Sequence, residues 1–340
     1  MPETVLVSAK EYEKGKEVFA GSAAADFQPA PHEESALAEA VRTHGCRAVV
    51  LGVEPYTGPL YEALAAQPGP RLMARFGVGH DSIDKQWAAE HDILVANTPG
   101  VLDQSVAELT LWLLGALVRG VPALDTAMRK GAFPGPPAGG ELCGRRLLLL
   151  GFGPIARRVA LIAGHGLGMR VTGLGRRSLG ELAETENLTP PAFLEKHALE
   201  TYAANPAEAL PEADVVSVHL PSNAQTHHYA DADLFARMKR GAYFINTARG
   251  PIVDEAALYD ALDEGRIAGA GLDVYAHEPY RPAAPDRDLR TLDNVVLTPH
   301  IGSNTHEANT RMANACVANV EHFLAGDYAR ITTVSGAPST

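Results

Sequence analysis

Leu147-Leu148-Leu149-Leu150-Gly151-Phe152-Gly153-Pro154-Ile155-Ala156-Arg157-Arg158-Val159-Ala160 is an unbroken apolar run, a glycine turn and a helical stretch in immediate succession. The turn reads G-x-G-x-x-A, in the strand–turn–helix setting that a dinucleotide-binding fingerprint requires. Gly151 permits the tight turn, Gly153 lets backbone approach a pyrophosphate, and Ala156 is small enough for helix–strand packing. Pro154 and Ile155 open the helix, whose first N–H groups and partial positive charge suit phosphate. A bare glycine pattern is weak evidence, but the flanking elements make this one a nucleotide site.

Working outward, short apolar runs alternate with helical stretches along the whole chain, which is the pattern of parallel α/β architecture. Upstream lie Val5–Val7, Ala48–Leu51, Leu72–Phe76 and Ile93–Ala96; downstream the series continues to Val295–Leu297. A long apolar helix is expected from about Ser105 to Val118, with Asp103 as its N-cap and Gly120 past its end. Gly131–Gly140 reads as a loop, a last helix spans roughly Glu307–Ala325, and Val334–Thr340 reads as a loose tail. The expected fold is α/β with two Rossmann-like or flavodoxin-like domains, each a doubly wound parallel sheet. Residues 102–300 form the dinucleotide-binding domain. Residues 1–101 and 301–340 come together as a discontinuous second domain.

The strand after the fingerprint, Met169–Leu174, ends in Gly175-Arg176-Arg177. An NAD-selective site places an acid there to bond the ribose 2′-hydroxyl. A small residue followed by two guanidinium groups instead suits the extra phosphate of NADP. NADP(H) is therefore the preferred cofactor, with NAD(H) the alternative if both arginines are solvated loop charges. Residues 178–205 read as a long insertion whose role the sequence does not disclose.

Three later runs carry chemistry: Asn246-Thr247-Ala248-Arg249-Gly250, Gly271-Leu272-Asp273-Val274 leading to Glu278-Pro279, and Thr298-Pro299-His300-Ile301-Gly302. Each follows a short apolar strand. Ligands bind beyond the carboxyl ends of strands in open parallel sheets, so Arg249, Glu278 and His300 are delivered to one rim. They supply an anion clamp, a carboxylate to orient an imidazole, and a proton donor.

Bulk properties narrow the field. The 340 residues suffice for two domains, and 46% hydrophobic with 21% charged residues is ordinary globular composition. A net charge of −12 argues against nucleic-acid or membrane-surface partners, which demand a basic face. No apolar run approaches the ~20 residues of a bilayer span, and the N-terminus lacks a signal-peptide pattern. Cys46, Cys143 and Cys316 have no metal-ligand spacing, so no metal site is expected and the thiols read as free. A cytoplasmic enzyme is the expectation.

On the glycine fingerprint and the three rim motifs, the chain resembles the D-isomer-specific 2-hydroxyacid dehydrogenases, within them the NADP-dependent glyoxylate/hydroxypyruvate reductases. The resemblance implies that Arg249 binds the carboxylate and carbonyl oxygen of a small 2-keto acid. His300 then protonates that oxygen, and Glu278 bonds the far imidazole nitrogen. It further implies that Leu220, Pro221 and Thr226 lie at the adenosine side, and that Thr247, Ala248 and Gly302 line the cofactor. Asp273 is expected to face the nicotinamide amide. Val78 and Gly79, in Phe76-Gly77-Val78-Gly79-His80, match the family's glycine turn, whose N–H groups bind the substrate carboxylate. Formate dehydrogenases of this fold have glutamine where this chain has Glu278, and phosphite dehydrogenases have lysine where it has Val78. The resemblance also implies a homodimer. Two alternatives stay open: an NAD-dependent D-3-phosphoglycerate or D-lactate-type dehydrogenase, and a dinucleotide-sensing protein like the family's corepressors.

Overall fold

A computed structural model of the chain describes residues 2–133, 135 and 139–335. It divides into two compact units, one of residues 1–102 with 303–340 and the other of residues 103–302.

The first unit contains β1 (Thr4–Ser8), β2 (Asp26–Ala30), β3 (Ala48–Leu51), β4 (Arg71–Arg75) and β5 (Ile93–Ala96). Their spatial order is β2-β1-β3-β4-β5, all parallel, with one antiparallel strand added at the β5 edge. This is the flavodoxin-like doubly wound order. Leu6, Val49, Leu51 and Met73 meet Leu37 and Val41 of the helix Glu34–His44 and Leu60 and Leu64 of the helix Pro59–Ala65 in one buried cluster.

The second unit is built on β6 (Arg146–Leu150), β7 (Arg170–Leu174), β8 (Thr201–Ala203), β9 (Val215–Val218), β10 (Tyr243–Asn246), β11 (Gly269–Leu272) and β12 (Val295–Leu297). Their order is β8-β7-β6-β9-β10-β11-β12, all parallel. That is the Rossmann arrangement with one further strand, and its order reverses between β6 and β9. The run of four leucines is explained by burial on both faces, which parallel sheets demand. Leu148 and Leu150 pack into one cluster with Val216, Val218 and Phe244, whereas Leu147 and Leu149 pack into another with Val171, Val215 and Ile245. Strand β11 is glycine-rich for a packing reason. A Cβ on Gly271 would lie 3.0 Å from Leu113 Cβ, so the strand's small residues let the helix Asp103–Arg119 lie close against it.

Several expectations are corrected. The 178–205 segment is not a simple insertion, because it carries β8, the third strand of the Rossmann order. The tail is not loose from its start: Thr333–Ser335 forms the added strand, β13, which pairs antiparallel with β5. Its remaining residues, 336–340, lie outside the described residues, as do 134 and 136–138 of the Gly131–Gly140 loop. The long helix begins at Asp103 itself, and a further helix, Val121–Arg129, follows Gly120 at a bend of 65°. Strand β2 was not foreseen, because Pro29 and its polar neighbours blur its pattern; Pro is tolerated there because β2 is an edge strand.

The 178–205 segment is pinned to the fingerprint helix Pro154–Leu161 by one mostly buried carboxylate. Glu186 pairs with Arg157, accepts from Lys196 Nζ at 2.7 Å and lies 3.2 Å from His197 Nε2. The Arg157 guanidinium also stacks over the rings of Phe152 and Phe193 at 5.6 and 5.5 Å. Burial by itself would raise the Glu186 pKa, but the Lys196 and His197 hydrogen bonds, with the charge of Arg157, bring it down to about 2. A carboxyl whose folded pKa lies below its unfolded value stabilises the fold above the unfolded value and ceases to as pH falls through the folded one. Thermal unfolding followed from pH 7 down to pH 3 is therefore expected to lose stability below about 4.5. E186Q is expected to lower stability by about 1–3 kcal/mol at neutral pH and to flatten this acid limb; an unchanged limb would remove Glu186 from the account.

Candidate active site

The fingerprint turn stands at the carboxyl end of β6, beside the point where strand order reverses. Gly151 has φ +97°, and a Cβ there would meet the His219 carbonyl oxygen at 2.5 Å. No other residue fits both conditions. Gly153 caps the helix Pro154–Leu161, and open space surrounds its Cβ position. Pro154 occupies the first helical turn, where a missing N–H costs nothing. The following N–H groups have no partner inside the helix. An open backbone approach and unpaired amides at a helix N-terminus fit a dinucleotide pyrophosphate.

At the end of β7, Gly175 is half-buried while Arg176 and Arg177 are exposed. Among the described residues neither guanidinium takes part in a hydrogen bond or a close ion pair, though the charge of Arg177 is felt by Glu181. Leu220 is half-buried and Pro221 exposed. The Thr226 hydroxyl donates to the Pro221 carbonyl at 2.6 Å and accepts from the Asn223 amide at 3.0 Å, closing the loop that follows β9.

The structure brings Arg249, Glu278 and His300 to the carboxyl ends of β10, β11 and β12. His300 Nδ1 lies 2.6 Å from Glu278 Oε2, and both side chains are about one-third exposed. Burial pushes the Glu278 pKa up, yet the His300 hydrogen bond and charge, the Tyr275 amide and the Arg249 charge leave it below the usual carboxylate value. Glu278 is thus held ionised beside the imidazole. The Arg249 loop is set by Asn246, whose side chain accepts from the Ala248 amide at 3.0 Å and donates to the Arg249 carbonyl at 2.9 Å. Arg249 Nη1 in turn donates to the Ala248 carbonyl at 2.7 Å. Gly250 is required because a Cβ there would collide with the Tyr275 backbone. Thr247 is buried, its hydroxyl 2.8 Å from that of Thr110.

Asp273, expected to face the nicotinamide amide, is 1% exposed and bonded to the loop that carries His300. Oδ1 accepts from the Thr298 hydroxyl at 2.6 Å and the Ile301 amide at 2.9 Å; Oδ2 accepts from the Gly302 amide at 2.8 Å. Three of roughly four acceptor positions are used, one of them by the amide of Gly302. The clamp holds His300 at φ +52°, a left-handed conformation that a non-glycine residue keeps only when its surroundings enforce it. Tyr275 adds a second brace, its single hydroxyl proton shared between the Thr298 carbonyl at 2.9 Å and the Leu272 carbonyl at 3.2 Å. Buried Glu255 accepts from the Ala276 amide at 2.7 Å. Sequence reasoning missed Tyr275, Glu255 and the Asn246 side chain. Only Asn246 carried a signal, as an Asx residue opening a loop after a strand.

In the first unit, the turn after β4 places Gly77 at φ +140°. Asn97 Nδ2 donates to the Val78 carbonyl at 2.9 Å, and the Thr98 amide donates to Gly77 O at 3.1 Å. Among the described residues the Val78 and Gly79 amides have no acceptor, the condition for an anion-binding nest.

Comparison with known proteins identifies the family. Residues 111–302 match the family described as D-isomer specific 2-hydroxyacid dehydrogenase, NAD binding domain. The chain is 37% identical over 304 residues to the glyoxylate reductase of Korarchaeum cryptofilum (strain OPF8), covering 88% of this chain and 85% of that protein. It is 35% identical to the hydroxypyruvate reductase of Thermotoga maritima over 272 residues, 80% and 83% of the two chains. Among solved structures it is similar to the NADPH-dependent glyoxylate/hydroxypyruvate reductase of Sinorhizobium meliloti in complex with NADP and malonate. That match has a TM-score of 0.79 at 27% identity, covering 99% of this chain and 98% of the other. The chain belongs to the D-isomer specific 2-hydroxyacid dehydrogenase family, oxidoreductases that act on CH–OH groups with a nicotinamide dinucleotide.

Proposed function

We propose that this chain is an NADP-preferring reductase of small 2-keto acids, glyoxylate and hydroxypyruvate foremost, yielding D-2-hydroxy acids, with NAD(H) as the weaker cofactor. The observation that carries the reading is the ionised Glu278 on His300 Nδ1, with the Arg249 charge acting on the same carboxylate. The names of the relatives, glyoxylate and hydroxypyruvate reductase, support the substrate class. The exposed Arg176–Arg177 pair after Gly175 supports the cofactor preference.

The reduced nicotinamide supplies hydride. The rest is done by this chain's residues. Arg249 presents a planar, permanently charged fork to the keto acid's carboxylate and carbonyl oxygen. The Val78 and Gly79 amides of the first unit are themselves suited to a carboxylate. Glu278 accepts the Nδ1 proton of His300, so the other nitrogen, Nε2, is the one that gives its proton to the carbonyl oxygen as the alcohol forms. The Asp273 clamp keeps that nitrogen in place through the reaction. Thr226, Leu220 and Pro221 hold the adenosine side, and Thr247 and Ala248 line the cofactor's path. Trp112, Met128 and Phe133, on adjacent segments of the second unit, are 71%, 52% and 90% exposed. Large apolar groups left in water suit a twofold homodimer.

Oxidation of NADPH and NADH, each with glyoxylate, hydroxypyruvate and pyruvate, tests the activity. Turnover faster with NADPH is expected; tight cofactor binding without turnover on any keto acid would favour the dinucleotide-sensing alternative. H300Q is expected to lower kcat roughly 10²–10⁴-fold with NADPH affinity unchanged. E278Q should lower kcat less, because it keeps a hydrogen-bonding group on Nδ1. Sedimentation of W112E/M128E should show monomer where the unsubstituted chain sediments as a dimer, and an unchanged dimer would move the interface elsewhere.

A further inference from the structure

We propose that Tyr202 determines cofactor choice in this chain, its hydroxyl reading the 2′ position of the adenosine ribose in place of the acid that NAD-selective sites carry. The inference rests on the NADP reading above and adds a residue that no glycine or arginine pattern reveals.

Tyr202 lies on β8, in register with Gly173 of the neighbouring β7. Gly173 and Gly175 are two residues apart and so share a face. The tyrosine ring lies along that face. A Cβ on Gly173 would stand 3.0 Å from Tyr202 Cδ2, and a Cβ on Gly175 would stand 2.6 Å from the Tyr202 hydroxyl oxygen. The two glycines are therefore a bed for the ring. The volume in which a carboxylate at position 175 would begin is filled by the phenol. Phe152, inside the fingerprint turn, meets the same ring edge-on at 5.8 Å and 76°, and also packs 3.0 Å from the Gly173 Cβ position. The ring is thereby wedged between the phosphate-binding turn and the end of β7.

The charge around the hydroxyl suits an anion. Burial raises the phenol's pKa, and the charges of Arg177 and Arg157 oppose it without cancelling it, so the group stays protonated and able to donate at neutral pH. Among the described residues the hydroxyl has no hydrogen-bond partner. It is a neutral donor that feels the charges of Arg177 and of the Glu186-paired Arg157, at the end of β7 where an NAD-selective site carries its acid. Gly175 is then explained from the opposite direction. Tyr202 occupies its side-chain space, so an acid introduced there must displace the phenol.

The test is calorimetric binding of 2′,5′-ADP and of ADP to the full chain, with melting temperature recorded for each variant. Y202F keeps the ring packed on Phe152 and removes only the donor. It is expected to weaken 2′,5′-ADP roughly tenfold or more, the value of a hydrogen bond to a charged group, and to leave ADP unchanged. G175D alone is expected to weaken both nucleotides, whereas G175D/Y202A should bind ADP better than G175D does. Unchanged 2′,5′-ADP affinity in Y202F, or tighter ADP binding by G175D alone, overturns the proposal. An unsubstituted chain that binds both nucleotides equally would overturn the NADP reading. Tyr202 would then stand or fall on whether G175D/Y202A gains the ADP affinity that G175D lacks.

Discussion

A buried carboxylate with three hydrogen bonds sets the geometry on which the reacting groups depend. Asp273 leaves the end of β11, yet its acceptors are filled from Thr298, Ile301 and Gly302 beyond the end of β12. An ionised carboxylate taken out of water is costly unless its lone pairs are met by donors. Here the donors are one hydroxyl and two amides of the next loop, so satisfying the charge and folding the loop are one event. The histidine between them is forced to φ +52° and cannot relax without exposing the carboxylate. Burial still raises the Asp273 pKa despite these bonds, which measures how unfavourable the position is for a charge. That cost is accepted where a strained residue must be held.

Close approach of backbones is the second constraint. Gly151 lies against the His219 carbonyl, and Gly250 lies against the backbone of Tyr275. In each case a loop after one strand is seated on the loop after another, so the rim behaves as an interlocked set. The braces are polar where the loops cross and apolar beneath them, where Val216, Val218, Phe244 and Leu272 fill one face of the sheet. The rim is thereby pre-organised, and a proton donor fixed in advance need not be reoriented during reaction.

Much of this was legible from residue order. The apolar runs marked the central strands because both faces are buried and no polar alternation dilutes them. The residues after them marked the rim because parallel strands all end on one side. Edge elements were harder to read. Strand β2 contains Pro29, β8 has three residues of which two are only half-buried, and β13 is short. Edge strands lack a second neighbour and tolerate polar residues and proline. Strand β8 was therefore hidden inside a stretch that looked like an insertion.

The residue types and their order along the chain determined the two parallel sheets, the glycine turn for a dinucleotide, and the succession of arginine, glutamate and histidine at one rim. These follow from periodicity and from the fixed direction of strand ends, which are local properties of the chain. Tertiary structure decided which donors each carboxylate receives, and so that Asp273 clamps the His300 loop. It also decided that Glu186 fastens the 178–205 segment to the fingerprint helix and that Tyr202 fills the space beside Gly175. Such pairings join residues tens of positions apart, and their energy depends on burial and distance. Neither quantity exists until the strands have been laid side by side.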